Sequence, residues 1–128
     1  VIMNIKSFQN IFYNLISSEH GLQHWLLQKV TAVLLIPLSL LFVYFFSTVF
    51  GEGHEVVMLY FQNDMVAFLT AFFLVISFLH LKQGLQVVIE DYVHSKLLNI
   101  WLLRIIAWST RILSIISIIA LGKIALSG

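Results

Sequence analysis

One histidine of this chain lies inside a long apolar run. His80 opens the string His80-Leu-Lys-Gln-Gly84-Leu-Gln-Val-Val-Ile-Glu-Asp91-Tyr92. An imidazole in hydrocarbon is costly unless it is paired or ligated. On a helix, positions 80, 84, 87 and 91 share one stripe, with Gly84 one turn from His80. A glycine there removes the side chain that would block a flat ligand standing against the helix. His with Gly at i+4 is what a porphyrin ring ligated by His80 needs. Ser77, one turn to the other side, is placed to orient the imidazole through its second nitrogen. The alternative is a histidine that only hydrogen-bonds a neighbouring helix. If haem is bound, a lone histidine supplies one axial ligand and a second chain must supply the other.

Four further positions carry candidate chemistry. Asp91 lies about 16 Å along the helix axis from His80, with Tyr92 next to it. A phenol there can donate to a quinone carbonyl, and the adjacent carboxylate can relay protons or orient a basic partner. A plain aromatic anchor in the headgroup layer is the other reading of the pair. Lys29 is a candidate partner for a haem propionate or a lipid phosphate, and His24 is a weaker one for the same task. Lys29 also serves as a topology signal without any ligand. Lys82 lies roughly 160° around the helix from His80, where it reaches toward headgroups, with Glu90 a candidate partner.

The elements that position these residues follow from composition. Of 128 residues, 60% are hydrophobic and 10% charged. Soluble domains carry about 25% charged residues. With a mean hydropathy of +0.98, an integral membrane protein is the better class, with room for about three spans of ~20 residues each. The net charge of +1 gives no reason to expect nucleic-acid binding. The absence of cysteine excludes disulfides, iron–sulfur ligation and thiolate chemistry by this chain.

The expected fold is all-α: one membrane domain over residues 1–128, with three spans behind a short amphipathic N-terminal helix. Ile5, Phe8, Phe12 and Leu15 recur at helical spacing between polar residues, too short a stretch to cross a bilayer. The spans are expected at 30–50, 65–89 and 103–126. Pro37 lies inside the first, which spans tolerate where neighbours satisfy the freed carbonyl. Gly51 to Glu55 and Val93 to Asn99 read as loops. Trp101 and Trp108 share a face near Arg104 and Arg111, a stripe suited to headgroups or a protein contact.

Lys6 and Lys29 precede the first span, and Lys96, Arg104 and Arg111 lie near the start of the third. The loop between the first two spans carries only Glu52, Glu55 and Asp64. The positive-inside rule puts the N-terminus and the Asp91–Lys96 loop in the cytoplasm and the C-terminus outside, with Lys123 the one exception. The first apolar run has no cleavage pattern and reads as a retained span, and the short N-terminus without an Arg/Ser-rich presequence favours a bacterial inner membrane over an imported mitochondrial protein, whose processed mature chain would look alike.

Two stretches resemble the small hydrophobic membrane-anchor subunit of succinate dehydrogenase, the D-type anchor of respiratory complex II. The stronger is His80, Gly84, Val87, Asp91 and Tyr92, followed by Val93-His94. The second is Gln28-Lys29-Val30-Thr31-Ala32-Val33, similar to a family pattern with arginine where Lys29 stands. The resemblance implies that His80 is an axial ligand of a b-type haem whose other ligand comes from the C-type cytochrome b anchor subunit. It implies that Tyr92 hydrogen-bonds ubiquinone and that Asp91 shapes that site. Lys29 keeps the charge of the family's arginine but not its bidentate fork. Glu90 stands where members often have threonine.

In this reading the chain is not catalytic alone. A flavoprotein subunit would oxidise succinate in the tricarboxylic acid cycle, an iron–sulfur subunit would pass electrons on, and the anchors would dock both to membrane lipid. A quinol:fumarate reductase anchor is the reverse-direction variant. A non-redox assembly or transporter subunit, whose polar span residues only glue helices, is the alternative from another class.

Overall fold

The computed structural model describes residues 4–18 and 20–127, with the side chains of residues 12–21 outside the description. Every regular element among the described residues is an α-helix: α1 (Ile5–Ser18), α2 (His20–Ser47), α3 (His54–Phe61), α4 (Asp64–Tyr92) and α5 (Lys96–Leu126). Three are long and apolar enough to cross a membrane: Leu22–Ser47 within α2, Asp64–Tyr92 and Lys96–Leu126. The chain is a multi-pass, all-helical membrane protein.

The helices run past the boundaries expected from apolarity. α2 begins at His20 rather than near Val30, and α5 begins at Lys96 rather than near Leu103. Polar residues end a membrane contact, not a helix: nothing in Gln23–Lys29 or Lys96–Asn99 breaks backbone hydrogen bonding. The loop expected over Val93 to Asn99 is therefore only the non-helical Val93–Ser95. α3 is an element the hydropathy pattern did not mark. α1 forms where amphipathic spacing places it, with Ile5 and Phe8 exposed; the Phe12 and Leu15 side chains lie outside the described residues.

Local chemistry fixes the ends of α4. Asn63 caps its start, its Oδ1 accepting from the backbone N–H groups of Met65 and Val66 at 3.0 and 3.4 Å. Such a cap satisfies donors that the first turn leaves bare. At the other end, Asn99 Nδ2 of α5 donates to the Ile89 and Val93 carbonyls, each at 3.3 Å. One side chain thus ties the last turn of α4 to the first turn of α5. Gly51, at φ 86°, makes the left-handed turn after α2.

α4 is the middle of a row. It packs on α2 and on α5, while α2 and α5 do not meet among the described residues. Among the described residues, half of the buried side chains are polar: Thr31, Thr70, Gln83 and Thr110, against Leu38, Val49, Ala67 and Ile89. Large apolar side chains such as Ile112, Ile115, Ile116 and Ile119 face outward. A soluble fold would reverse that distribution. In lipid, small and hydrogen-bonding residues bring helices together.

Candidate functional site

α2 and α4 run antiparallel, and three contacts fix their register. Phe42 stacks on Phe73 with centroids 4.8 Å apart. Two to three turns along, Thr31 Oγ1 lies 2.9 Å from His80 Nδ1. Further toward the α4–α5 turn, Gln86 Nε2 lies 3.2 Å from His24 Nε2 and donates to Glu90 Oε1 at 2.9 Å.

His80 is half-buried against α2. Thr31 is 2% exposed, and its hydroxyl also donates toward the carbonyls of Leu27 and Gln28 at 2.9 and 3.0 Å. Those carbonyls compete for its single proton, so the oxygen is free to accept from His80 Nδ1–H. His80 Nε2 has no partner among the described residues. The imidazole is therefore held by one nitrogen and presents the other. The partner expected for this task was Ser77, but the Ser77 hydroxyl donates to Phe73 O at 2.7 Å. A serine four residues before the histidine is drawn to its own helix carbonyl; the orienting group comes from the facing helix instead.

Three observations bear on whether a ligated porphyrin fits here. His80 Nε2 is bare. A Cβ built on Gly84 meets nothing within 4 Å, so this chain leaves open the space beside the glycine. Gln83, 3% exposed and one turn from His80, has a buried amide nitrogen without a partner among the described residues. A flat ring standing against α4 suits the first two, and the third marks a polar edge of the same seam. No group of three metal-ligating side chains gathers among the described residues.

The other expected residues lie nearer the α4–α5 turn. Tyr92, the last residue of α4, is 76% exposed, and Asp91 beside it is exposed as well. Lys29 is exposed two residues before Thr31. His24 meets Gln86 across the helix pair rather than any acid. Glu90 is engaged by Gln86, whereas Lys82 turns toward α5, into a groove shared with Thr110, Arg111 and Ser114. Arg111 holds its guanidinium 5.8 Å over the Trp108 ring, as the expected Trp/Arg stripe requires.

Sequence reasoning missed the roles of Thr31, Gln83 and Gln86. Thr31 stood in a quoted motif without a task. Two polar residues at i and i+3 in hydrocarbon, His80 and Gln83, are the signal that would have found the second. Far from this site, the Tyr60 hydroxyl of α3 is buried without a hydrogen-bond partner among the described residues, in a cavity it shares with Phe42, Phe46 and Thr70. Burial pushes its phenol above the usual tyrosine value, which the nearby Thr48 hydroxyl partly offsets.

Residues 9–121 match the family described as the succinate dehydrogenase/fumarate reductase transmembrane subunit. The chain belongs to that family. Its relatives include the succinate dehydrogenase membrane anchor subunit of Reclinomonas americana, 31% identical over 72% of this chain and 82% of the relative. The succinate dehydrogenase hydrophobic membrane anchor subunit of Rickettsia bellii is 32% identical over 81% of this chain and 80% of its own. That of Rickettsia typhi is 36% identical over 61% of this chain, which spans 62% of it. No solved structure matches. The family match covers the whole α2–α4 seam, so the polar contacts that hold His80 lie within the transmembrane subunit's own fold.

Proposed function

We propose that the chain is the D-type hydrophobic membrane anchor of a succinate:quinone oxidoreductase. It would sit in a bacterial inner membrane with its N-terminus in the cytoplasm and its C-terminus in the periplasm, an orientation that the distribution of basic residues supports. The relatives named as succinate dehydrogenase anchors support the complex. The observation that carries the cofactor reading is His80, tied by Nδ1 to Thr31 and bare at Nε2.

In this reading His80 Nε2 would hold the iron of a b-type haem, with a second ligand coming from the C-type anchor subunit. Such a haem, when bound, exchanges one electron at a time and draws helices of two subunits together. Thr31 holds the ligand ring in place. Lys29, exposed on the same stretch of α2, neutralises a propionate as a point charge or snorkels to a lipid phosphate. His24 is committed to Gln86 and contributes to the helix contact more than to an anion.

Tyr92 donates its phenolic proton to a carbonyl of ubiquinone at the cytoplasmic end of α4. Asp91 beside it orients a basic partner or passes on protons. Reducing the quinone takes two electrons and two protons. The electrons arrive from a flavoprotein through an iron–sulfur subunit, both docked on this face. The chain makes and breaks no bond of succinate itself.

The reading is tested by purifying the complex in mild detergent with its neighbouring subunits. The expected result is co-purification of a flavoprotein, an iron–sulfur protein and a second anchor, with a reduced b-haem spectrum that His80→Ala removes. A colourless complex, or a spectrum indifferent to His80→Ala, would refute the haem assignment. The fumarate reductase direction shares the same family description and is distinguished by which of the two reactions the purified complex runs faster with its own quinone.

A further inference from the structure

We infer that Gln83 and Thr31 act together as positioning residues that fix the His80 ring in its Nδ1–H form and weaken the pull on that proton, so that Nε2 is presented as a moderate, neutral donor. This rests on the haem reading proposed above and deepens it.

Thr31 Oγ1 is surrounded by four polar atoms. The Leu27 and Gln28 carbonyls are 2.9 and 3.0 Å away, His80 Nδ1 2.9 Å and Gln83 Oε1 3.3 Å. The hydroxyl has one proton and two lone pairs. The two backbone carbonyls compete for that proton, which leaves a lone pair of the hydroxyl oxygen for His80 Nδ1–H to donate into. The proton of the neutral ring therefore sits on Nδ1, and Nε2 keeps its lone pair.

Gln83 completes the set. With Oε1 toward Thr31, its Nε2 is buried without a partner in a side chain only 3% exposed. Bare N–H groups in hydrocarbon are strongly disfavoured. The two ends of an amide have nearly the same shape, and the hydrogen-bond network decides between them. Turned over, Gln83 donates from Nε2 into the second lone pair of Thr31. The hydroxyl then gives one hydrogen bond and accepts two. A carbonyl oxygen, which tolerates burial better than an N–H, takes the unpartnered place.

The electronic effect has a sign. An acceptor on the far nitrogen of a ligating imidazole raises the basicity of the ligating one. A more basic ligand favours the oxidised metal and lowers the potential. Thr31 is a modest acceptor, and a second donor, Gln83, draws on the same oxygen. Removing Thr31 and removing Gln83 therefore move the potential in opposite directions. A purely structural role for both predicts no such opposition.

The experiment is a redox titration of the b-haem in the purified complex, with haem content per complex measured alongside. Thr31→Val is expected to raise the midpoint potential, Thr31→Ser to leave it near wild type, and Gln83→Leu to lower it. Equal shifts from both Thr31 variants, or a Gln83→Leu shift that is upward or absent, would overturn the inference. Should Thr31→Val fail to assemble, the sign of the Gln83→Leu shift decides alone. A second readout does not need the potential. Nitrogen NMR of the reduced, histidine-labelled complex, with His80 assigned by its loss in His80→Gln, is expected to find the proton on Nδ1. A proton on Nε2 overturns the inference. A wild-type complex without b-haem refutes the haem reading, and the NMR result still stands or falls separately.

Discussion

The two ends of the α2–α4 seam are held in different ways. Toward α3, Phe42 stacks on Phe73 and on Phe46, with Leu38 and Ala67 buried nearby. Toward the α4–α5 turn, the same two helices meet through Thr31, His80 and Gln83, then His24 and Gln86. The aromatic end needs only shape and dispersion, which lipid does not outcompete when packing is close. The polar end needs every proton placed, and it ends with one nitrogen left over. One end holds the helices together; the other holds a group ready for something else.

That division is most severely tested at His80. His80→Ala removes the proposed ligand and is expected to abolish the b-haem band of the complex, with assembly checked by subunit co-purification. Next in size is Tyr92→Phe. Loss of one hydrogen bond of about 1–1.5 kcal/mol corresponds to roughly tenfold in quinone-dependent turnover. Succinate oxidation with a soluble dye in place of quinone is expected to stay unchanged. Phe73→Ala acts at the other end. Losing the stack costs about 1 kcal/mol beyond area effects, read as a lower thermal midpoint of the complex with an unaltered haem spectrum. If Phe73→Ala bleached the haem as fully as His80→Ala, the two ends would not be separate. Smallest is Asn99→Ala, which frees two carbonyls for about 1 kcal/mol or less. A severalfold higher KM for quinone, with the same haem content, is expected because Tyr92 loses the fixed turn beside it.

Much of this was legible in the sequence, and the part that was not has a common cause. Composition alone called for three spans, and His80 with Gly84 could be singled out because a single helix fixes which residues share its face. What a single helix does not fix is its register against another. The pairing of Thr31 with His80, forty-nine residues away in sequence, depends on how α2 slides along α4. Ser77 was the natural local choice for the orienting role, and it failed because a helix carbonyl is nearer to it than the imidazole. Helix ends were misplaced for a different reason. Apolarity marks where lipid stops, and His20–Gln28 and Lys96–Leu102 stay helical beyond the point where that marker runs out. α3 escaped because eight residues are too few to show a period.

The open row of α2, α4 and α5 carries a consequence for a newly made copy. α2 and α5 do not meet among the described residues, and no described residue bonds His80 Nε2. A copy inserted alone therefore has an unmet polar demand inside the bilayer, and hydrocarbon cannot answer it. A neighbour that met that nitrogen would relieve the demand, so pairing is worth more to this chain than to one whose polar groups are all met within its own helices.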